Sequence, residues 1–433
     1  MNPEKVIWHA GFFRSNGRKS KVVQRWYIPR VAPAGVAGGT DADPGWRLHM
    51  ADRLSWCEIS TTALARNMLG FRAVTGPRVT LAPVVKANAY GHGLELVAPV
   101  FVRAGADVLC VNDLWEAARI RRIGINVPVH VIGRMTPDSA EEAVDLDVSA
   151  IVYDRELVSA LDSASRRRGQ VFRAHLKLET GTNRQGLRLE EASALVEFID
   201  SLQGVRLSGA SMHFADVEDT TDHQFARAQL DRFQSMLDRL GVGGRPGFVR
   251  SVSNSAATIL WPQAHFEMVR PGISAYGMWP SSETFVTAAL SSRNQIDLKP
   301  ALAWKTTVVQ VREVPADEYV GYGRTFRATS PITMAVIPVG YYDGYDRGLG
   351  NGAYALVSGR RAQVRGRICM NMAMLDVTGI PDVHPGSEVV LIGKSGQESI
   401  SAETFASWCN TINYEVTCRI SETIPRIPVE VSK

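Results

Sequence analysis

Eight short apolar runs, each followed by a longer stretch with helical periodicity, occupy the chain between residues 54 and 290. This alternation indicates β-α units around a parallel sheet, because parallel neighbours need a crossover connection that is usually a helix. Eight such units predict a closed (β/α)8 barrel, in which chemistry gathers at the carboxyl ends of the strands. The predicted strands are residues 79–85, 108–111, 129–132, 149–152, 174–179, 207–211, 248–253 and 266–270.

An open doubly wound sheet is the alternative architecture, but no G-x-G-x-x-G motif opens a helix after the first strand. Beyond about residue 294 the pattern changes to short β-rich segments separated by turn residues, with helical periodicity only near 401–410. We therefore expect an α/β chain with a TIM-like barrel over residues 51–290 and a mainly β domain over residues 291–433. Residues 51–70 could pack with the second domain. The predicted strands of that domain are 303–311, 331–339, 353–357, 363–368 and 388–392.

The first 50 residues have a different composition from the rest of the chain. They mix Arg and Lys with Gly, Pro and isolated tryptophans, and they lack the continuous apolar segment of a secretory signal. We interpret residues 1–50 as a disordered extension or the product of an upstream start codon. A basic targeting arm is disfavoured, because acidic residues interrupt the segment and amphipathic periodicity is not evident.

The composition limits the possible partners and the cellular location. A net charge of +4 over 433 residues gives no reason to expect nucleic acid or an anionic membrane as partner. No apolar run approaches the roughly 20 residues that span a bilayer. The five cysteines are scattered without metal-ligand spacing, so we expect reduced thiols in the cytoplasm and no metal site.

Lys86 ends the first predicted strand, in the segment R-V-T-L-A-P-V-V-K-A-N-A-Y-G-H-G over residues 78–93. Taken alone, a lysine at a strand end is most often solvated. An amine that is held still and partly desolvated can instead form a Schiff base with an aldehyde, because desolvation lowers its pKa. The residues that follow the later strands decide between these interpretations.

Strands five and six of the predicted barrel are followed by basic residues. Lys177 lies inside the fifth strand, and Arg184 lies in the glycine-bearing loop after it. His213 follows the sixth strand and, as an isolated histidine, would more often be a core residue than a functional one. In a closed barrel these side chains share one mouth with Lys86.

Strands seven and eight end in a possible phosphate cradle. Asn254 and Ser255 open a helix, where free backbone N–H groups can bind an anion. The eighth strand ends in Arg270, and the backbone amides of Gly272 and Ile273 could complete the cradle. A lysine, a phosphate cradle and an arginine at one mouth predict pyridoxal phosphate as the cofactor.

Eight motifs in order resemble the alanine racemase family of pyridoxal-phosphate enzymes, over roughly residues 54–428. The resemblance implies a β/α barrel followed by a β domain, assembled as a homodimer whose active sites are shared between chains. The motifs are V-V-K-A-N-A-Y-G-H-G, H-L-K-L-E-T-G-T-N-R-Q-G-L, M-H-F-A, S-N-S-A-A-T, V-R-P-G-I-S-A-Y-G, G-Y-G-R-T-F, P-V-G-Y-Y-D-G-Y and G-R-I-C-M-N-M.

The resemblance implies two opposed bases. Lys86 matches the lysine that bonds the cofactor and acts on the D face of the substrate. Tyr322, in G-Y-G-R-T-F, matches the tyrosine base that the other subunit supplies for the L face. The implied activity is racemisation of L-alanine to D-alanine, in which a positioned base on each face makes the reaction reversible.

The resemblance also implies roles around the cofactor. Arg270 matches an arginine facing the pyridine nitrogen, where a guanidinium can only donate and leaves that nitrogen unprotonated. Arg184 matches an arginine that orients the substrate carboxylate, and Lys177 a lysine that is carbamylated in some relatives. The other implied residues are Tyr90, His213, Asn254, Ser255, Gly272 and Ile273 for the cofactor, and Met370 and Tyr341 for the substrate.

Two positions depart from the family pattern. Asn371 stands where many members have an acidic residue, and Glu422 stands where most have a tyrosine beside the cofactor phosphate. A carboxylate near a phosphate is repulsive unless it pairs with a cation, so the substrate range stays open. A serine or broader-specificity racemase is the alternative. A non-catalytic pyridoxal-phosphate-binding protein is less favoured, because such proteins generally lack the β domain that carries Tyr322 and Met370.

Overall fold

The computed structural model describes residues 54–291 and 296–430, so the extension predicted over residues 1–50 lies outside the described residues. The strands are β1 (Ser55–Ser60), β2 (Thr80–Leu81), β3 (Leu109–Val111), β4 (Val129–Val131), β5 (Val148–Val152), β6 (Phe172–Lys177), β7 (Val205–Ser211), β8 (Val249–Ser251), β9 (Met268–Val269), β10 (Leu302–Thr307), β11 (Gln310–Val314), β12 (Tyr319–Val320), β13 (Phe326–Arg327), β14 (Ile332–Ile337), β15 (Tyr354–Val357), β16 (Arg360–Val364), β17 (Ala373–Asp376), β18 (Glu388–Ser395), β19 (Glu398–Ile400) and β20 (Arg426–Val429).

The α-helices lie mainly between the strands of the N-terminal part. They are α1 (Thr61–Thr75), α2 (Lys86–Tyr90), α3 (Leu94–Arg103), α4 (Leu114–Arg122), α5 (Ala140–Asp145), α6 (Arg155–Arg168), α7 (Leu189–Asp200), α8 (Gln224–Leu240), α9 (Ser255–Leu260), α10 (Ser282–Leu290), α11 (Ala402–Cys409) and α12 (Asn413–Arg419). Over the described residues, no helix combines the length and apolar character needed to cross a membrane.

Strands β2 to β9 form a parallel ring. Strands β3 to β8 pair in chain order, and β2 pairs with β9. A parallel bridge between Val84 and Cys110 joins the end of β2 to β3. The N–H of Arg270 donates to the carbonyl of Ser253 at 2.9 Å, which joins the ends of β8 and β9. The predicted barrel is thus confirmed, and the open doubly wound sheet is excluded.

A capping residue and the spacing of apolar residues explain two of the helices that cover the ring. Asp113 caps α4 by accepting a hydrogen bond from the N–H of Glu116 at 3.1 Å. In α8 the buried positions recur every three or four residues, so one face of the helix packs on the barrel. Those positions include Ala226, Leu230, Phe233 and Leu237.

The C-terminal part is a ten-stranded sheet in the order β11-β14-β17-β16-β15-β18-β10-β1-β20, with β19 beside β18. Its pairings are antiparallel, except that β1 runs parallel to β20. The segment Ser55–Ser60 therefore belongs to this sheet, whereas Asn67 of α1 donates to the carbonyl of Ala275 beside the barrel at 3.2 Å. The domain limits at residues 50 and 290 stay a prediction.

Arg426 joins the C-terminal sheet to the mouth of the barrel. Its guanidinium donates to the carbonyl of Gly91 at 2.9 Å and to the carbonyl of Ile420 at 2.8 Å. Gly91 also lies against α12, because a Cβ atom at this position would stand 1.9 Å from the carbonyl oxygen of Thr417. The segment that follows Lys86 is thus packed directly against the second sheet.

Candidate active site

Lys86 opens α2, which is a single left-handed turn rather than a right-handed α-helix. The φ angles of Ala87, Asn88, Ala89 and Tyr90 are 53, 52, 54 and 51°. For residues with a Cβ atom this conformation costs about 1–2 kcal/mol per residue, so tertiary contacts must maintain it. The turn directs the chain away from β2 and fixes Lys86 at the barrel mouth.

The amine of Lys86 is partly withdrawn from water. Burial lowers the pKa of the Lys86 ammonium, and the positive charge of Arg184 lowers it further, whereas Glu116 acts in the opposite direction. A lowered pKa increases the fraction of neutral amine, which is the form that acts as a nucleophile or a base. The structure therefore favours the chemical interpretation of this lysine over the solvated one.

The residues predicted to bind a phosphate lie close together at the ends of β2, β8 and β9. The Oγ atom of Ser255 accepts hydrogen bonds from the N–H of Gly272 at 2.8 Å and from the N–H of Ser274 at 3.3 Å. Asn254 caps α9, and its Oδ1 atom accepts from the N–H of Ala257 at 3.0 Å. The ends of β2, β8 and β9 and the start of α9 therefore lie at the same mouth of the barrel as Lys86.

Tyr90 approaches these residues from the side of the lysine. A Cβ atom built on Gly272 would lie 2.5 Å from the Oη atom of Tyr90, so only glycine allows this close approach. Ile273 is fully buried beside it, and the Oγ atom of Ser274 is buried without a hydrogen-bond partner among the described residues. A polar atom without a partner beside a helix N-terminus fits an anionic group.

Arg270 lies inside the barrel mouth, with only 7% of its surface exposed. Its guanidinium donates to the Oγ atom of Ser251 and to the carbonyl of Met212, the latter at 3.0 Å. Burial and the positive charges of Lys177 and Arg270 hold the pKa of His213 well below its usual value. At neutral pH, His213 is therefore an uncharged imidazole that can stack or accept a hydrogen bond.

Lys177 is buried next to the same cations. Burial, together with the charges of Arg270 and Arg184, lowers the pKa of Lys177 to about 7, against the weaker opposing effect of Glu179. The Glu179 carboxylate accepts from backbone N–H groups of its own loop, at Gly181 and Arg184. Over residues 54–291 and 296–430, no carboxylate forms an ion pair with Lys177.

The remaining predicted site residues lie on the C-terminal part and are exposed. The exposed fractions are 70% for Tyr322, 55% for Met370 and 43% for Tyr341. Asn371 and Glu422 are exposed as well. In the part of the chain that the structure describes, no hydrogen bond or ring contact joins any of these residues to Lys86. The predicted site residues on the barrel are therefore close to one another, whereas those on the C-terminal part have no such contact with Lys86.

Glu116 is a site residue that sequence reasoning missed. It follows the capping Asp113 by three residues, a spacing typical of a capping box. The structure instead directs its carboxylate to the N–H of Ala87, the residue after Lys86, and to the N–H of Asn112. Tyr414 was also missed, and its ring lies 6.1 Å from that of Tyr90. No sequence pattern relates either residue to the site, because each approaches it from a segment distant in the chain.

The fold and the site together define a class of protein. A β/α barrel that presents a desolvated lysine, an anion cradle and a buried arginine at one mouth has the donor set for pyridoxal phosphate. Lys86 would bond the cofactor, the Ser255 and Gly272 cradle would hold its phosphate, and Arg270 would face its ring.

Comparison with known proteins identifies the family within that class. Residues 59–280 match the N-terminal domain of alanine racemase, and residues 301–428 match its C-terminal domain. The chain belongs to the alanine racemase family. An alanine racemase of Leptospira interrogans is 39% identical over 377 residues, which cover 87% of this chain and 96% of that protein.

Solved structures agree with this assignment. The alanine racemase of Bacillus anthracis with bound L-Ala-P superposes with a TM-score of 0.80 at 32% identity, covering 88% of this chain and 96% of that one. The alanine racemase of Bartonella henselae with covalently bound pyridoxal phosphate shares the fold, with a TM-score of 0.76 at 24% identity. That match covers 87% of this chain and 100% of the Bartonella henselae chain.

Proposed function

We propose that this chain is an alanine racemase that interconverts L-alanine and D-alanine with pyridoxal phosphate. The observation that carries the proposal is the meeting of Lys86, the Ser255 and Gly272 cradle, and Arg270 at one barrel mouth. Family membership at 39% identity supports the same reaction. When bound, the cofactor supplies an electron-withdrawing ring that makes the hydrogen on the substrate α-carbon acidic.

The residues of this chain then have separate roles in the proposed reaction. The neutral amine of Lys86 removes or returns the α-hydrogen on one face of the substrate, and the partner subunit's Tyr322 does so on the other. Arg270 can only donate, so it limits how strongly the ring withdraws electrons and disfavours side reactions. Arg184 and the backbone N–H of Met370 would orient the substrate carboxylate, with Tyr341 at the site entrance.

A homodimer follows from the position of Tyr322 in the proposal. Several large apolar side chains are exposed on the C-terminal part, and exposed apolar surface of this kind is typical of an interaction surface. A second copy would cover this surface and bring its Tyr322 to the Lys86 of the first chain. The exposed side chains are Tyr319, Tyr322, Tyr341, Tyr342, Met370 and Met372.

Replacement of Gly272 by alanine should weaken cofactor binding by about 10- to 100-fold. The added Cβ atom would stand 2.5 Å from the Tyr90 Oη atom, and such overpacking costs about 1–3 kcal/mol. Titration of the apoprotein with pyridoxal phosphate measures the affinity. Gly244→Ala is the matched control, because nothing lies within 4 Å of its added atom. Equal affinities of the two variants would contradict the proposed cradle.

Lys177 should carry a carbamate. A pKa of about 7 leaves much of its amine neutral at neutral pH, and that amine can attack carbon dioxide. The new N–C bond releases a proton and replaces a buried cation with an anion that Arg184 can hold. The native protein equilibrated with carbon-13-labelled bicarbonate should show a carbamate carbonyl resonance that is lost in Lys177→Ala. An identical spectrum of the two proteins would refute the modification.

Glu422 and Asn371 leave serine as the alternative substrate. Glu422 acts electrostatically on the cations Arg119 and Arg426, so its charge is partly compensated there.

Incubation of the purified protein with individual L-amino acids, followed by chiral chromatography of the products, tests the proposed activity. D-alanine should be the main product. D-serine in excess would make the protein a serine racemase, and no D-amino acid above a Lys86→Ala control would leave a non-catalytic cofactor-binding protein.

We also propose a cytoplasmic location, since all five cysteines are unpaired. Detection of the protein in a periplasmic or secreted fraction would contradict this.

A further inference from the structure

Glu116 joins two segments of the barrel mouth through one carboxylate. Its Oε1 atom accepts from the N–H of Ala87 at 2.6 Å, and its Oε2 atom accepts from the N–H of Asn112 at 2.7 Å. Only 5% of the residue is exposed. Ala87 directly follows Lys86, and Asn112 directly follows β3. The carboxylate therefore ties the lysine to the neighbouring strand.

The bond to Ala87 falls on the first residue of the left-handed turn. Because each such residue costs about 1–2 kcal/mol, the turn depends on contacts from outside. Asn88 receives one of them, since its Oδ1 atom accepts from the Nη2 atom of Arg119 at 3.2 Å. Arg119 is itself held by two 2.7 Å hydrogen bonds to Glu95. Glu116 and Arg119 lie three residues apart on α4, so one helix face supports the turn.

Glu116 also contributes a charge beside the lysine. The groups acting on Lys86 include the cation Arg184 and the carboxyl of Glu116, with the thiols of Cys418 and Cys110. The charged groups that interact with Glu116 include Asp113, Lys86 and Arg119. Burial raises the pKa of the Glu116 carboxyl, while its two N–H donors act against that rise. Two charge-assisted bonds to backbone are what an ionised carboxylate requires when it is buried.

We propose that Glu116 is a positioning residue for racemisation, which fixes the Lys86 amine through the backbone of Ala87 and Asn112 and keeps a negative charge beside it. This rests on the proposed function of Lys86 as a base. The carboxylate does not reach the substrate in this role. It acts through the lysine, because a base displaced by about 1 Å can lose about a hundredfold in rate.

The test compares Glu116→Gln with Asp113→Asn in the full-length protein with cofactor. Glutamine keeps the shape but loses the charge and one of the two acceptors, whereas asparagine at position 113 still caps α4. In Glu116→Gln, kcat should fall by about 10- to 100-fold while KM changes by less than about threefold. The acid limb of the pH–rate profile should move to lower pH, because loss of the carboxylate lowers the pKa of Lys86. Asp113→Asn should behave like the wild type.

Hydrogen exchange supplies a readout that does not depend on activity. The Ala87 amide should exchange faster in Glu116→Gln than in the wild type or in Asp113→Asn. If Glu116→Gln does not fold, Glu116→Asp serves instead, since it keeps the charge but is too short for both bonds. It should lose kcat while keeping the acid limb.

Wild-type kcat and wild-type exchange at Ala87 in the Glu116 variant would overturn the proposal. An equal loss in Asp113→Asn would also overturn it, because the effect would then arise from α4 as a whole. A wild-type protein that produces no D-amino acid would refute the proposed function instead, and the exchange result would still decide whether Glu116 holds the turn.

Discussion

Lys86→Ala should lose covalent attachment of the cofactor and at least about a thousandfold of the racemisation rate. The substitution removes both the amine that bonds the cofactor and one of the two proposed bases. Its neighbours remain in place, because Ala87 keeps its bond to Glu116 and the cradle at Ser255 does not involve the side chain. Mass spectrometry after borohydride reduction measures the attachment, and chiral chromatography measures the rate.

Lys394→Ala is the matched control for this variant, since Lys394 is exposed in β18 of the C-terminal sheet. It should retain both cofactor and activity. A Lys86→Ala protein that still carries the reduced cofactor on a lysine would mean that another amine bonds it. Lys177 would then be the first candidate, because its pKa is lowered to about 7 as well.

Tyr322→Phe should reduce the rate by about 10²–10⁴-fold while leaving cofactor attachment intact. The phenol is the proposed base on the second face, and its removal leaves Lys86 and the cradle unchanged. Tyr354→Phe is the control, because Tyr354 lies in β15, is not part of the proposed dimer surface, and contacts Arg361 through a ring that phenylalanine keeps. Comparable rates for the two variants would remove Tyr322 from the mechanism.

Co-expression of Lys86→Ala with Tyr322→Phe tests whether the two bases come from different chains. A hybrid dimer has one of its two sites intact, so isolated hybrids should contain about half of the wild-type number of active sites, and an unsorted random mixture about a quarter. Hybrid dimers isolated with two affinity tags provide the sample. Inactive hybrids would show that Lys86 and Tyr322 act within one chain or not together.

The barrel was predictable because its evidence is periodic. Each of the eight predicted strands overlaps an observed one, since a buried parallel strand and its helix repeat the same pattern around the ring. The left-handed turn after Lys86 was not predictable. None of the residues from Ala87 to Tyr90 is glycine, and local preference alone would place them in another conformation. Hydrogen bonds from Glu116 and Arg119, which are distant in the sequence, stabilise the left-handed conformation.

The strands of the C-terminal sheet were predicted less accurately. The predicted strand over residues 303–311 is two strands, because Val308 bonds to Ser387 beside β18 while Val309 bonds to Val336 of β14. The predicted strand over 363–368 begins three residues too late. Ser358 and Gly359 have φ angles of 50 and 75°, so they form a tight hairpin that starts β16 at Arg360.

The predicted site residues also fall into two groups, one on the barrel and one on the C-terminal part. Those on the barrel lie at one mouth, although their roles in binding stay predictions. Tyr322, Met370 and Tyr341 can be related to Lys86 only through a second chain, and no pattern within one sequence gives the arrangement of two chains. Their roles stay predictions that rest on the family resemblance and on their exposure.

The most direct test of the account is racemisation in deuterium oxide, started separately from pure L-alanine and pure D-alanine. Both reactions should converge on equal amounts of the two enantiomers, because mirror images have equal free energies. The newly formed enantiomer should carry deuterium on its α-carbon, since Lys86 and Tyr322 exchange their protons with solvent. Failure to form either opposite enantiomer above the level of Lys86→Ala would contradict the account.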